Sequence, residues 1–179
     1  MEKQPDQSLP DYLKPGLKVL FVGFNPSIRS AELGHHFASP NNRFWKILHQ
    51  ARLTPRQYNP MEDASLLDLG YGLTNLVARP TRAAADVSAS EYARGRELLR
   101  DKIELNLPQV VCHVGKGVYQ IYARRKQAAW GFQSGELIPG VSDFIGPSSS
   151  GLVRMRMEEV VYIYSLLKEF LQDKQPLTP

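Results

Sequence analysis

Residues 18–27, KVLFVGFNPS, predict the strand and loop around which the fold is built. The run from Lys18 to Phe24 is apolar and rich in β-branched and aromatic residues, which is typical of a strand buried on both faces. Asn25-Pro26-Ser27 then predicts a sharp loop at the carboxyl end of this strand. A second such run, Val110–Val114, is followed by the loop Gly115-Lys116-Gly117 and by the pattern of a helix.

Other elements are predicted from apolar spacing and capping residues. The clearest helix is expected over residues 88–105, where Ser88 or Ser90 can cap it and Glu91 lies in its first turn. Asn41 or Asn42 can cap a shorter helix that begins near Phe44. That helix is expected to end near residue 52. The remaining predicted elements are helices over 63–67 and 158–171, a strand or loop at 73–77, and one or two strands within 137–145.

Alternating strands and helices predict an α/β fold. We expect a three-layer α/β/α sandwich with a central, mostly parallel sheet of four or five strands. In such sheets, ligands bind at the carboxyl ends of the strands. The loops that begin at Asn25, Asn75, Gly115 and Ser148 should therefore converge on one candidate site.

Composition narrows the protein class without identifying a function. The 179 residues include 22 Lys and Arg against 18 Asp and Glu, a formal net charge of +4. This excess is compatible with a polyanionic partner but is too small to establish one. The one cysteine, Cys112, excludes a disulfide within the chain and any four-cysteine zinc or iron–sulfur site.

The pattern along the chain predicts one domain with two tails. Residues 1–16, which include Pro5, Pro10 and Pro15, predict a loosely held arm, residues 17–171 the domain and residues 172–179 a tail. No apolar run suits a signal peptide or a membrane span, so we expect no membrane association. We expect a cytoplasmic monomer, associated with the nucleoid if the source is bacterial.

The order and spacing of several motifs resemble the mismatch-specific uracil-DNA and thymine-DNA glycosylase family. The first motif is Gly23-Phe-Asn-Pro-Ser27, followed by the segment from Gly34 to Trp45, GHHFASPNNRFW. Gly72-Leu-Thr-Asn-Leu-Val77 with Arg79-Pro-Thr81, and Pro147-Ser-Ser-Ser-Gly-Leu152, resemble the second and final motifs. The resemblance covers roughly residues 17–171 and implies a uracil-DNA glycosylase-like fold.

The resemblance also implies an activity and a partner. It implies removal of uracil, or of thymine opposite guanine, by hydrolysis of the bond between base and deoxyribose, with an abasic site as product. The implied partner is double-stranded DNA that contains mismatched or damaged pyrimidines, and no cofactor is implied. Because the sugar gains oxocarbenium character as the base leaves, the attacking water need not be a strong nucleophile.

Asn25 matches the position of the family's catalytic asparagine, which holds that water. A neutral amide can accept a hydrogen bond from water and orient it, but it does not take the proton near neutral pH. The resemblance therefore implies a slow enzyme. The alternative is that Asn25-Pro26 only makes a turn after a strand.

Base-binding residues are implied in the first two motifs. Phe37 matches an aromatic position that stacks on the extruded pyrimidine, while Phe44 and Trp45 better suit the core. Asn75 matches a position where an amide could read the pyrimidine edge, with a buried structural role as the alternative. The family also suggests that backbone N–H groups of the first loop contact the base, at Phe24, Ser27 and Ile28.

The segment from Ser148 to Arg154 resembles the family's DNA-intercalation loop. Serines suit contacts to phosphates, which implies DNA binding by Ser148, Ser149 and Ser150. Leu152, after Gly151, could fill the gap left by the flipped base, with Arg154 beside it. The alternative is an ordinary Ser/Gly turn followed by a helix cap.

Three other clusters support no specific assignment. His35 and His36 favour a structural or DNA-facing role, because adjacent histidines need not face one point, and we assign no metal. Gly115-Lys116-Gly117 lacks the spacing of a nucleotide-hydrolysing phosphate loop. The basic run 124–126 is either a solvated helix end or a phosphate contact.

Two other functions compete with the glycosylase hypothesis. A non-catalytic module could bind lesions or abasic DNA through the same pocket and loop. A nucleoside hydrolase is more remote, since the sheet architecture alone fixes no function. The asparagine at position 25 argues against the first alternative and the intercalation-like loop against the second.

Overall fold

The computed structural model describes residues 8–174, which form one five-stranded sheet between helices. The strands are β1 (Val19–Gly23), β2 (Tyr71–Asn75), β3 (Val110–Val114), β4 (Gly131–Phe132) and β5 (Ser142–Gly146). Their order across the sheet is β2-β1-β3-β5-β4. All neighbouring pairs are parallel except β4 and β5, which are antiparallel.

The strand order creates a switch point beside β1. The chain passes from β1 to β2 on one side and later to β3 on the other, so the loops that follow β1 and β3 diverge. Such a switch opens a crevice at the carboxyl ends of the strands, where ligands bind in this class of fold. Asn25 lies in the loop after β1, and Gly115 lies in the loop after β3.

Helices cover both faces of the sheet. They are α1 (Ile28–Leu33), α2 (Phe44–Gln50), α3 (Ala89–Asn106), α4 (Lys116–Ala123) and α5 (Met157–Asp173), with short 3-10 helices at Pro60–Leu69 and Ala84–Asp86. Alternate residues of β1 enter two separate cores: Phe21 packs with α2 and α5, whereas Leu20 packs with α3 and α4. Within residues 8–174, no helix is long and apolar enough to cross a membrane.

The structure confirms the predicted α/β/α sandwich and its mostly parallel sheet, and adds detail. The 3-10 helix at Pro60–Leu69 covers the short helix expected over residues 63–67, and β2 begins two residues earlier than the strand or loop expected at 73–77. Ser88 caps α3, with its side chain accepting from the backbone N–H of Glu91. Neither α1 nor the two-residue β4 was predicted.

The predicted N-terminal arm is wrong for residues 8–16, which are attached to the domain. Tyr12 exchanges backbone hydrogen bonds with Leu73 of β2, at 2.9 and 3.0 Å. Asp11 accepts from the hydroxyl of Thr74 at 2.6 Å and pairs with Lys102 at 2.7 Å. This segment thus covers the free edge of the sheet, and the rest of the predicted arm lies outside the described residues, as does most of the predicted tail.

Candidate active site

The side-chain amide of Asn25 is held in one orientation. Its nitrogen lies 3.0 Å from the carbonyl oxygen of Arg79 and 2.7 Å from the hydroxyl of Thr81. Because a carbonyl oxygen can only accept, the amide nitrogen must face Arg79. The Thr81 hydroxyl accepts from Asn25 and donates to the carbonyl of Ala83 at 2.9 Å. The amide oxygen of Asn25, which has no hydrogen-bond partner among residues 8–174, can accept from a water molecule.

The backbone of Arg79 is itself fixed by an ion pair. Its guanidinium binds both carboxylate oxygens of Glu91 at the start of α3, at 2.5 and 3.0 Å. These hydrogen bonds, with those from Ser88, lower the pKa of Glu91 to about 2. Backbone bonds from Val77 to Phe24 and from Thr81 to Pro26 join the same segment to the loop after β1. The two segments therefore position Asn25 from both sides.

Phe37 lies in a strained loop that its neighbours support. It adopts a φ of 51°, in the left-handed region that costs non-glycine residues free energy. Such strain persists only where surrounding contacts over-determine it, and it concentrates at functional sites. Here the hydroxyl of Ser30 accepts from the N–H of Ala38 at 2.9 Å, and Ser27 and Ser39 share a hydrogen bond of 2.8 Å.

One face of the Phe37 ring is occupied and its side chain is half-buried. The ring stacks on Phe44 with centroids 3.9 Å apart and planes 17° from parallel. Phe44 and Trp45 lie in the core, at 0% and 5% exposure, as expected from the sequence. A planar base could stack on the Phe37 ring because the core fixes its orientation.

Asn75 lies directly beside Gly23 and Phe37. The two strands pair Gly23 with Asn75, and a Cβ on Gly23 would lie 2.5 Å from the Asn75 side-chain oxygen and 3.4 Å from the Phe37 ring. Only glycine leaves room for this arrangement. The half-buried Asn75 side chain makes no hydrogen bond to another part of the described chain, so both atoms of its amide can bind another molecule.

The other residues expected to contact a base lie in or next to the loop after β1. Phe24 is half-buried with its ring edge-on to Tyr92, and Ser27 caps α1 by accepting from the N–H of Ser30. Ile28 is the first residue of α1, so its N–H has no partner within the helix. The structure thus groups all six predicted residues of the first two motifs at one end of the sheet.

The loop from Ser148 to Arg154 is joined to this group through the start of α2. The N–H of Arg43 donates to the carbonyl of Ser149 at 2.8 Å, and its guanidinium donates to the carbonyls of Ser150 and Val153. A Cβ on Gly151 would lie 2.7 Å from the carbonyl oxygen of Asn41, so the loop packs closely on this segment. Arg43 directly precedes Phe44, on which Phe37 stacks.

The side chains of this loop differ in exposure. Leu152 is 92% exposed, and Arg154 is also exposed. The hydroxyls of Ser148 and Ser150 accept, both at 3.3 Å, from backbone N–H groups two residues later. Ser149 is only 2% exposed, so its hydroxyl lies beneath the surface that Ser148 and Ser150 share.

His35 and His36 support the loop that carries Phe37 through hydrogen bonds. His35 lies 3.1 Å from Asp63, which also accepts from the N–H of His36, and the His36 ring lies 2.8 Å from the carbonyl of Pro10. Burial lowers the pKa of His36 below 6.5. In the part of the chain that is described, no group of three His, Cys, Asp or Glu residues could hold a metal ion.

Sequence reasoning missed four residues that support the site. They are Arg79 and Thr81 beside Asn25, Asp63 beneath the histidines, and Arg43 beneath the final loop. Arg79 and Thr81 belong to the second motif, so the sequence contained a signal for them. Arg79 binds Asn25 through its backbone carbonyl, and a backbone contact cannot be predicted from the residue type. Asp63 was missed because it lies 28 residues from His35 in the chain.

Two comparisons relate the chain to known proteins. Residues 10–173 match the family model of the uracil DNA glycosylase superfamily. The solution NMR structure of a proposed uracil DNA glycosylase from Methanosarcina acetivorans is similar, with a TM-score of 0.56 and 18% identity. That likeness covers 91% of this chain and 98% of the other, and at this identity it shows the shared fold alone. Because the family match spans most of the sequence, the chain belongs to the uracil DNA glycosylase superfamily.

Proposed function

We propose that the protein is a monofunctional, mismatch-specific DNA glycosylase. It removes uracil, and also thymine or other damaged pyrimidines, from mismatches such as G·U and leaves an abasic site. Superfamily membership supports the DNA glycosylase role. The observation that carries the mechanism is the fixed amide of Asn25, whose nitrogen is bound by Arg79 and Thr81 and whose oxygen is left to accept.

In the proposed reaction, Asn25 positions the attacking water. The water donates to the amide oxygen, which directs a lone pair toward the anomeric carbon as the base departs. The amide stays neutral, so the water loses its proton, to solvent, only as its oxygen bonds to the anomeric carbon, and the departing base takes up a proton from solvent. The carbon–nitrogen bond breaks with its electron pair moving to the base, and the developing charges on sugar and base reduce the need for a basic catalyst.

In the same proposal, Phe37 and Asn75 receive the flipped base. The aromatic ring of Phe37 replaces the stacking that the base loses on leaving the helix. The Asn75 amide can donate to one pyrimidine carbonyl and accept from N3–H, a pattern that both uracil and thymine offer. The close packing of Asn75 on Gly23 keeps the amide beside the ring.

The final loop is the proposed contact with double-stranded DNA. Leu152, at 92% exposure, would enter the space that the flipped base vacates, and the exposed Arg154 would lie beside it. Ser148 and Ser150 would contact phosphates, since both residues are half-buried and so partly open to solvent, whereas Ser149 is buried. Without DNA, the apolar side chain of Leu152 is in contact with water, which is unfavourable. We propose that one monomer is sufficient for this engagement.

The test is single-turnover base release from duplexes with G·U, A·U, G·T or G·C pairs and from single-stranded uracil. We expect release from G·U, and at least a roughly 100-fold lower rate for Asn25→Ala, since misplacement of a reacting group has effects of this size. Duplex binding by the variant should be unchanged, because the amide acts only on water.

The same experiment distinguishes the other functions. Tight binding of uracil-containing duplexes with no base release would indicate a lesion-binding module. Turnover of free deoxyuridine with none on DNA would indicate a nucleoside hydrolase. Normal turnover by Asn25→Ala would contradict the role of Asn25 even if the activity itself were present.

A further inference from the structure

A cavity of about 550 Å³ lies at the opposite end of the sheet from Asn25. Lys18, which lines it, directly precedes β1, whereas Asn25 follows β1. It is also lined by Arg52, just after α2, by Lys168, near the end of α5, and by His49, in the last turn of α2. Three separate elements therefore bring basic residues to one concave surface.

The charges around this cavity are not balanced by the protein. No acidic residue lines it, and within residues 8–174 none of its Lys and Arg side chains forms an ion pair. Like charges that share a cavity repel each other. The carbonyl end of α2 offsets part of this repulsion for His49 and Arg52, but Lys18 and Lys168 belong to other elements.

We propose that this cavity binds a small phosphorylated molecule that carries two or more negative charges. Phosphate oxygens would pair with Lys18, Arg52 and Lys168, which gives each of these unbalanced charges a partner. Nearby apolar residues, among them Leu69 and Pro55, would suit an organic group attached to the phosphate. This site is additional to the proposed glycosylase site.

A small ligand suits this position better than the backbone of the DNA substrate. The cavity opens near the amino ends of β1 and β2, and five residues of strand span roughly 17 Å. The cavity is therefore roughly a strand's length from the end of the sheet at which Leu152 would engage a duplex. The cavity is open to solvent on one side, and its volume of about 550 Å³ lies within the range of small-molecule sites.

The experiment is calorimetric titration of the full chain with inorganic pyrophosphate at low ionic strength. Lys18→Gln and Lys168→Gln each remove one charge from the cavity, and Lys46→Gln, on an outer face of α2, is the matched control. We expect the first two variants to bind at least roughly tenfold more weakly, because charge-assisted hydrogen bonds have that effect on affinity. Lys46→Gln should bind as the unchanged protein does.

Two further arms identify the source of the phosphate. Titration with inorganic phosphate and with a nucleoside diphosphate compares a bare anion with one that carries an organic group, and tighter binding of either supports the site. Saturating lesion-free duplex DNA should not displace pyrophosphate, and base release by Lys18→Gln and Lys168→Gln should match the unchanged protein. Displacement by the duplex, or equal weakening by Lys46→Gln, would overturn the proposal, as would no binding at millimolar concentrations.

Discussion

The two loops of the candidate active site differ in how firmly the protein holds them. In the loop after β1, the Asn25 amide nitrogen has two partners, and hydroxyls of Ser27 and Ser30 fix the neighbouring segment. In the final loop, Arg43 fixes the backbone while the side chain of Leu152 is 92% exposed. The fixed amide of Asn25 suits the proposed role of positioning a water precisely. The exposed side chain of Leu152 suits the proposed contact with a flexible partner such as DNA.

The largest effect is expected from a substitution at Gly23, the last residue of β1, where neighbouring side chains leave no space for a Cβ atom. In Gly23→Ala, the added methyl would lie 2.5 Å from the Asn75 oxygen and would displace the Asn75 amide, while the Phe37 ring, at 3.4 Å, would stay in van der Waals contact. We expect a roughly 100-fold slower base release at saturating enzyme, because the base would lose its position relative to Asn25. Single-turnover kinetics on a G·U duplex measure this rate.

Gly117→Ala is the matched control for this variant. A Cβ on Gly117 meets no atom within 4 Å, so its rate should be unchanged. Equal rates for Gly23→Ala and the unchanged protein would mean that Asn75 does not position the reacting base, which would contradict the proposed importance of this firmly held region.

In the exposed loop, Leu152→Ala should affect DNA engagement rather than chemistry. We expect base release to fall roughly tenfold at low enzyme concentration, because the wedge no longer offsets unstacking of the flipped base. Thermal stability should not change, since the side chain is 92% exposed. Titration of the single-turnover rate against enzyme concentration separates weaker binding from slower hydrolysis.

Leu105→Ala controls for loss of any exposed leucine. Leu105 is 82% exposed on α3 and should be neutral in the same titration. If Leu152→Ala instead slowed the reaction equally at all enzyme concentrations, the final loop would contribute to the chemical step. Water positioning and DNA engagement would then not belong to separate loops.

A smaller effect is expected from the hydroxyl that supports Asn25. Thr81→Val keeps the shape of the side chain but removes the acceptor that lies 2.7 Å from the Asn25 nitrogen. Since the Arg79 carbonyl remains, we expect base release to fall only about fivefold, the effect of one ordinary hydrogen bond. Thr81→Ser restores the hydroxyl and should restore the rate. A rate for Thr81→Val equal to that of Thr81→Ser would show that Arg79 alone orients the amide.

The loop after β1 was also the part of the site most accessible from sequence. An apolar run that ends in Asn25-Pro26-Ser27 predicts both a buried strand and a loop at its carboxyl end, and both are present. Alternation of strands and helices was sufficient to predict the parallel sheet and its two helical layers. Long periodic segments such as α3 are recognisable because many residues repeat the same pattern.

Two kinds of feature could not be predicted from the sequence: very short elements, and contacts between residues far apart in the chain. The α1 helix has six residues and β4 has two, too few for a periodic pattern. The prolines of segment 8–16 predicted a loosely held arm. The segment is instead attached to the domain by backbone hydrogen bonds to Leu73 and by an ion pair with Lys102. Contacts between residues far apart in the chain leave no local signal.

The smallest effect is expected from pH, through the histidine that supports the Phe37 loop. Burial lowers the pKa of His36 below its ordinary value of 6.5, so the folded protein keeps this ring neutral where the unfolded chain takes up a proton. Stability is therefore complete above about pH 6.5 and decreases as the pH falls from there toward the lowered pKa. Thermal unfolding in phosphate-free buffers across this range measures the decrease.

His36→Gln tests whether this histidine is the cause. A glutamine amide can still donate to the Pro10 carbonyl but does not titrate, so the variant should lose less stability per pH unit than the unchanged protein. If His36→Gln and the unchanged protein lost stability in parallel, another group would control the pH response, and the firmness of the Phe37 loop would not depend on a neutral His36.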